Sequence, residues 1–358
     1  ALRAVPQTLR RPLRVLQGGP PSARVPRLVQ PQEVEWLPVA EGPDEQTAEG
    51  TEVLPVFPLH VVEWPGSEVN LNIIEPAYRR MYNDILLSGS RKFLMPFAPC
   101  VPGQPRGRVR FPELAPEDRR LHAVGAVLYL EDLSEVSSQT GDMVKYQAQH
   151  TVVGRARMKR LLNPSALFKI NEDGWKVEYL RAEVEYIDED TELPLEDNDM
   201  AASLVDAWDE LRLQSERVEE PHIPSAQRVR SCLINSTTWQ IAESWQQLQL
   251  ALRAHRERAQ AISRIQEWIR ARQRDGELPE DLPERLDIAQ LGLPRNLLEA
   301  LATSQDPSLL ELGADYWEPL LQVQAASNSS ARRELLLEAA LEEARVVRAR
   351  AALRAALR

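Results

Sequence analysis

At 358 residues the chain is long enough to bury a core and to hold two domains with tails. Its 43% hydrophobic and 27% charged content is ordinary for a globular protein, and no apolar run approaches a membrane span. Two distant cysteines (Cys100, Cys232) and five scattered histidines (His60, His122, His150, His222, His255) argue against a disulfide framework or a zinc module, and the net charge of −11 argues against a general nucleic-acid binder.

The first 32 residues carry six arginines and no acid, so a +6 arm precedes a body of −17. Rich in proline and glycine, this arm is not expected to fold alone. Its composition suits an organellar transit peptide or the remnant of one, or a basic arm that docks on RNA or an acidic partner. Residues 33–52 are acidic and turn-rich and read as a linker, which makes 1–52 a tail and places the start of ordered structure near Val53.

From Val53 to about residue 190 the signals are mainly β. "EVNLNI" alternates Val69, Leu71 and Ile73 with polar residues, the period of a half-buried strand. "AVGAVLYL" (Ala123–Leu130) is apolar almost throughout and suits a strand covered on both faces. "KYQAQHTVVG" and "GRARMKRLL" continue the pattern around Gly154, where a bend or bulge is expected. "WKVEYLRAEVEYID" sets Leu180, Ala182, Val184 and Tyr186 against Arg181, Glu183 and Glu185. One helix interrupts: Tyr78, Met81, Tyr82, Ile85 and Leu86 form an apolar stripe, Pro76 fits its first turn, and Ser88-Gly89 ends it. Pro65-Gly66 marks a tight turn before the preceding strand. Pro96–Pro116 is expected to be an irregular excursion.

Beyond the acidic stretch that ends near residue 196 the pattern is helical, and 197–358 is expected to be an all-α region. Leu204, Ala207, Trp208 and Leu211 mark one helix. A longer one is expected from Thr237 to Arg274, with Trp245, Leu248, Leu252, Ala259, Ile262, Ile265 and Ile269 as its seam. Asp306-Pro307 has the form of an N-cap and first-turn proline. A last helix from about Ser330 carries the seam Leu337, Ala340, Ala344, Val347 and Ala351, whose small residues suit a close helix contact, within the chain by default or with a partner helix as the alternative.

"PVFPLHVVEWPGSEVNLNIIEPAYRRMYNDIL" resembles the N-terminal substrate-recognition domain of Lon-type proteases. The motif residues are Leu54–Leu59 with Pro58, Pro65-Gly66, and Ile73 to Arg79 with Glu75, Pro76 and Tyr78. The later "VGAVLYLEDLSEV" with Gly125, "VKYQAQHTVVGRARMKRLLNP" with Gly154, and "YLRAEVEYIDED" are similar to further strands of that domain, especially in stand-alone plastid LON-domain proteins of plants and green algae. The resemblance covers 53–190 and implies an α+β chain: a PUA-like β pseudo-barrel, then the all-α region. It also implies a protein or peptide partner. The motor and blade of a complete Lon protease are not evident: no GxxxxGK[ST] loop occurs, and the C-terminal helical pattern leaves no room for a Ser-Lys proteolytic domain. No catalytic residue, cofactor or metal is therefore expected.

The signature residues are expected to be mostly architectural, with the Glu75 carboxylate accepting backbone N–H groups at the helix start. For protein binding the candidates are Phe93, Met95, Phe97, Val101 and Phe111 beside the capping helix, unless they form a satellite core under the loop. Arg155, Arg157 and Lys159 share a strand face, with Arg160 adjoining. They form either a basic strip for an acidic polypeptide or RNA, or a ladder with Glu183 and Glu185. The function expected is a non-catalytic, chloroplast-targeted adaptor or quality-control protein that binds polypeptides. The alternatives are a structural or assembly subunit of a large chloroplast complex and an RNA-contacting PUA-like module.

Overall fold

A computed structural model describes residues 33–40, 42–46, 50–101, 109–188, 199–218, 237–279, 292–305, 310 and 312–357. The Arg-rich arm, residues 189–198, His222, Cys232 and Asp306-Pro307 lie outside them.

The N-terminal half contains β1 (Trp36–Pro38), β2 (Glu52–Val56), β3 (Glu68–Ile73), α1 (Pro76–Leu87), β4 (Lys92–Pro96), β5 (Arg120–His122), β6 (Val124–Glu135), α2 (Ser137–Thr140), β7 (Tyr146–Leu161) and β8 (Leu180–Ile187). A six-stranded sheet runs β3-β7-β6-β4-β2-β8, and β8 also pairs with β7, so five strands close a ring with β3 attached outside it. All these pairings are antiparallel except β2 with β4. Long β7 serves both ends of the sheet because Val127 faces Gly154 while Leu128 faces Val152; the ladder skips Val153 and the strand bulges there.

The continuous apolar runs follow from closure. In β4, Leu94 faces the ring interior with Val56, Val127 and Leu180. Its neighbours Phe93 and Met95 face outward, under Tyr78, Met81, Tyr82 and Ile85 of α1. Such a strand is buried on both faces and reads as unbroken hydrophobicity. Gly125 lies where β6 crosses β4, and a Cβ there would sit 3.0 Å from the Met95 carbonyl oxygen.

The stretch expected to be a linker is partly ordered against the ring. Trp36–Pro38 pairs with β5, Val39 is buried, and Glu35 and Glu45 bind Arg157 and Arg160. Apolar Trp36, Leu37 and Val39 supply burial that an acidic average over the segment conceals.

The C-terminal half contains α3 (Asp199–Arg217), α4 (Thr238–Arg274), α5 (Arg295–Gln305), α6 (Ala314–Ala325) and α7 (Ser329–Leu357). Helix α3 packs along α7, where Ala340 and Ala344 are fully buried and allow close approach. Thr237 caps α4 in a reciprocal box: Gln240 N–H donates to Thr237 Oγ1, and Thr237 N–H donates to Gln240 Oε1. The expected α4 seam holds at Trp245, Leu248 and Leu252. Ala259 and Ile262 are exposed instead, and Ala261 is buried. The shared helical core takes α4 residues only as far as Leu252, and α4 also packs against α5, so one seam does not serve its whole length.

Val62, Trp64 and Phe97 of the β unit share one core with α3, α4, α6 and α7. Trp64 stacks on Trp239 and donates its indole N–H to Gln246, fastening the two halves together.

Candidate functional site

The signature segments meet at one corner. Pro65-Gly66 forms the centre of a turn closed by Ser67 N–H donating to the Trp64 carbonyl, with Gly66 at φ 89°. This turn feeds β3. Pro76 then starts α1. Arg79 donates Nε–H to the Ile74 carbonyl and an NH2 proton to the Asp142 carbonyl, tying the strand–helix corner to the turn after α2. Glu75 occupies the N-cap position without a side-chain cap bond. Its carboxylate reaches instead toward Lys176, at 3.9 Å, where an ammonium competes better than a backbone N–H.

Phe57, Pro58 and Leu59 after β2, Asn72–Glu75 at the exit of β3, Tyr78, Val109, Trp175 and Lys176 surround a cleft of about 140 Å³. The rings of Phe57 and Tyr78 lie 3.9 Å apart. Lys176 is buried. Its ammonium donates to the Val109 carbonyl at 2.8 Å and to the Tyr78 hydroxyl at 3.4 Å. Burial, then the Glu75 charge, holds the Tyr78 hydroxyl protonated well above its ordinary range. The first turn of α1 is joined to this wall because Ala77 N–H donates to the Lys176 carbonyl. Ile74 is 39% exposed at the rim. An apolar floor of this volume suits one large side chain; a cavity of about 150 Å³ holds benzene.

The five candidates for protein binding are not one surface. Phe93 and Met95 lie beneath α1, Phe97 belongs to the helical core, and Phe111 fills the ring interior with Val101 packed against it. The loop crosses three cores, and each takes its own aromatic. The basic residues are committed as well. Arg155 is fully buried, donates to the Gln324 and Ala326 carbonyls, and lies over Trp239. Arg157 pairs with Glu35, Lys159 with Glu185, and Arg160 with Glu183 and Glu45. The cross-strand ladder is thus present at Lys159 and Arg160, while Arg155 is a fastening between domains.

Lys176 and Trp175 were not singled out in the sequence. No sequence pattern marks Lys176: it lies outside β8, beyond a bend at Glu178, and sits against Tyr78 rather than on the ring-interior face of Leu180 and Ala182. A second cavity of about 460 Å³ lies between α4, α6 and α7. Trp245 and Leu320 line it, and the pairs Arg253–Asp315 and Arg256–Glu343 stand on its walls. Among the described residues, no three His, Cys, Asp or Glu side chains gather as metal ligands, and no helix is long and apolar enough to cross a membrane.

No protein-family model matches the sequence, and no curated protein matches it. Among solved structures the chain is similar to a Lon N-terminal domain protein from Xanthomonas campestris, at 20% identity, covering 56% of this chain and 89% of that one with a TM-score of 0.31. It is also similar to the N-terminal domain of the Mycobacterium avium complex Lon protease, at 13% identity, covering 73% of this chain and all of that one with a TM-score of 0.30.

Proposed function

We propose that this chain is a non-catalytic polypeptide-binding protein and that the cleft beside α1 receives a side chain of its partner. One observation carries this: two motif stretches, contributing Phe57–Leu59 and Ile73–Glu75 with Tyr78, converge with Trp175-Lys176 on a single apolar-floored cleft open to solvent at Ile74. A preformed concave site with few polar groups is what side-chain recognition requires. The acid-free arm supports an organellar address, and the chloroplast is the compartment proposed; a fluorescent fusion of residues 1–32 that stayed cytosolic would refute that address. For binding, the test is fluorescence anisotropy with a permanently unfolded labelled polypeptide, such as reduced, carboxymethylated α-lactalbumin. Wild-type protein is expected to bind it, and Ile74→Glu is expected to weaken binding at least tenfold. Equal binding by both proteins would remove the cleft from the account.

A second possibility, a scaffold subunit of a large chloroplast assembly, draws support from the core shared by the β unit and the helices. Quantitative co-migration with one large complex, without affinity for unfolded polypeptides, would favour it. The proposed RNA-contacting role has less support, since Arg155, Arg157, Lys159 and Arg160 are all engaged within the chain.

A further inference from the structure

Strand β3 has β7 as its only strand neighbour among the described residues. Val152 N–H donates to the Ser67 carbonyl and Lys145 N–H to the Ile73 carbonyl, so the odd-numbered positions turn their backbone groups toward β7. By the alternation of an antiparallel ladder, Glu68, Asn70 and Asn72 turn theirs outward. All three are exposed. An open edge of this kind is a template for another strand, and at Asn72 and Ile73 it runs directly into the cleft. Acids stand at the cleft end of the strand, Glu75 in the cleft wall and exposed Glu172 and Asp173 in the turn that leads into Trp175, and Glu68 is exposed at the strand's other end. Of the nearby cations, Lys176 is buried against Glu75 and Tyr78, Arg79 is tied to Asp142, and Lys145 is paired with Glu135.

We propose that β3 binds its partner by strand addition. The occupant is an extended polypeptide segment with one aromatic or branched apolar residue seated in the cleft and lysine or arginine beside it. Its backbone would satisfy the outward N–H and C=O groups of Glu68, Asn70 and Asn72, its anchor would fill the space over Phe57 and Tyr78, and its cations would face the acidic rim. Backbone pairing supplies affinity and the pocket supplies selectivity. This inference rests on the polypeptide-binding function proposed above and specifies its mode.

The test uses the full chain and a fluorescein-labelled peptide, acetyl-KVKFKVK-amide, read by anisotropy. Three altered peptides accompany it: one with the phenylalanine replaced by alanine, one with glutamate for lysine, and one N-methylated at alternate amides. Each is expected to bind at least tenfold more weakly than the parent. Asn70→Pro removes an outward N–H without touching the β7 ladder and is expected to lose binding to the same extent; a thermal melt checks that it folds. If it does not fold, the N-methylated peptide on wild-type protein decides. Undiminished binding after N-methylation would overturn strand addition while leaving the cleft intact, provided Ile74→Glu still weakens binding. If the parent peptide fails to bind while unfolded α-lactalbumin binds, strand addition is likewise overturned. If neither binds, both proposals fall.

Discussion

Arg155 carries a charge in the sequence and behaves as a bolt in the structure. It reaches from β7 to the carbonyls of Gln324 and Ala326 at the end of α6 while lying over Trp239. Arg332 lies over the same ring. Arg155→Ala would remove the donor to the buried Gln324 carbonyl, leave the Ala326 carbonyl with only the longer bond from Arg332, and take away one of the two guanidinium groups over Trp239, at a cost of roughly 2–4 kcal/mol. Lys159→Ala, which removes an exposed pair with Glu185, is expected to change stability by less than about 1 kcal/mol. Urea titrations of the two variants should rank them in that order. Glu63 lies near the helical half, and burial followed by the Glu243 charge raises its pKa to about 7 from 4.5. The unfolded chain therefore releases this proton first as pH rises, and stability is lost between the two values. Buried His122, lowered to about 4 chiefly by burial, works in the opposite sense, losing stability as pH falls from 6.5. The wild-type profile combines both slopes. Glu63→Gln isolates one of them: relative to wild type it should gain roughly 1–3 kcal/mol at pH 8 and little at pH 4.5. A gain independent of pH would contradict the assignment.

At the scale of elements, the corner from Pro65 to Leu87 is set by local chemistry. Gly66 at φ 89° has open space around it, so Gly66→Val tests backbone strain without a clash. It should cost roughly 1–2 kcal/mol and lower the melting temperature by about 1–3 °C. Thr237→Ala removes the reciprocal cap of α4 and should cost about 1 kcal/mol. The turn and α1 were legible in the sequence because their causes are local, Pro-Gly for the turn and a 3/4-spaced stripe for α1; the Thr-x-x-Gln cap is equally local but was not singled out there. The both-faces burial of Ala123–Leu130 was legible for the same reason. Less legible was where the aromatics of Phe93–Phe111 would go. Consecutive residues of a strand in a closed ring enter different cores, and alternation gives parity without naming the layer each side receives. Lys176 shows a related limit: the carbonyl of Val109 and the hydroxyl of Tyr78 that hold it come from elsewhere in the chain.

For the whole molecule, the decisive feature is the core that runs from Val62, Trp64 and Phe97 into the helices. The sequence separated a β-rich half from a helical half; the surface joining them was invisible because its residues are ordinary apolar members of each. Two halves sharing a core should unfold together. Near-UV and far-UV circular dichroism are expected to report one coincident thermal transition, and Trp239→Leu should shift both probes equally. Two resolved transitions would mean that the shared core contributes little. The central claim is that the cleft beside α1 is where a polypeptide binds, and hydrogen–deuterium exchange with and without unfolded α-lactalbumin tests it most directly. Protection is expected at Asn70–Tyr78 and Trp175–Val177; protection confined to the cavity lined by Trp245, Tyr316 and Glu343, with no change beside α1, would contradict it.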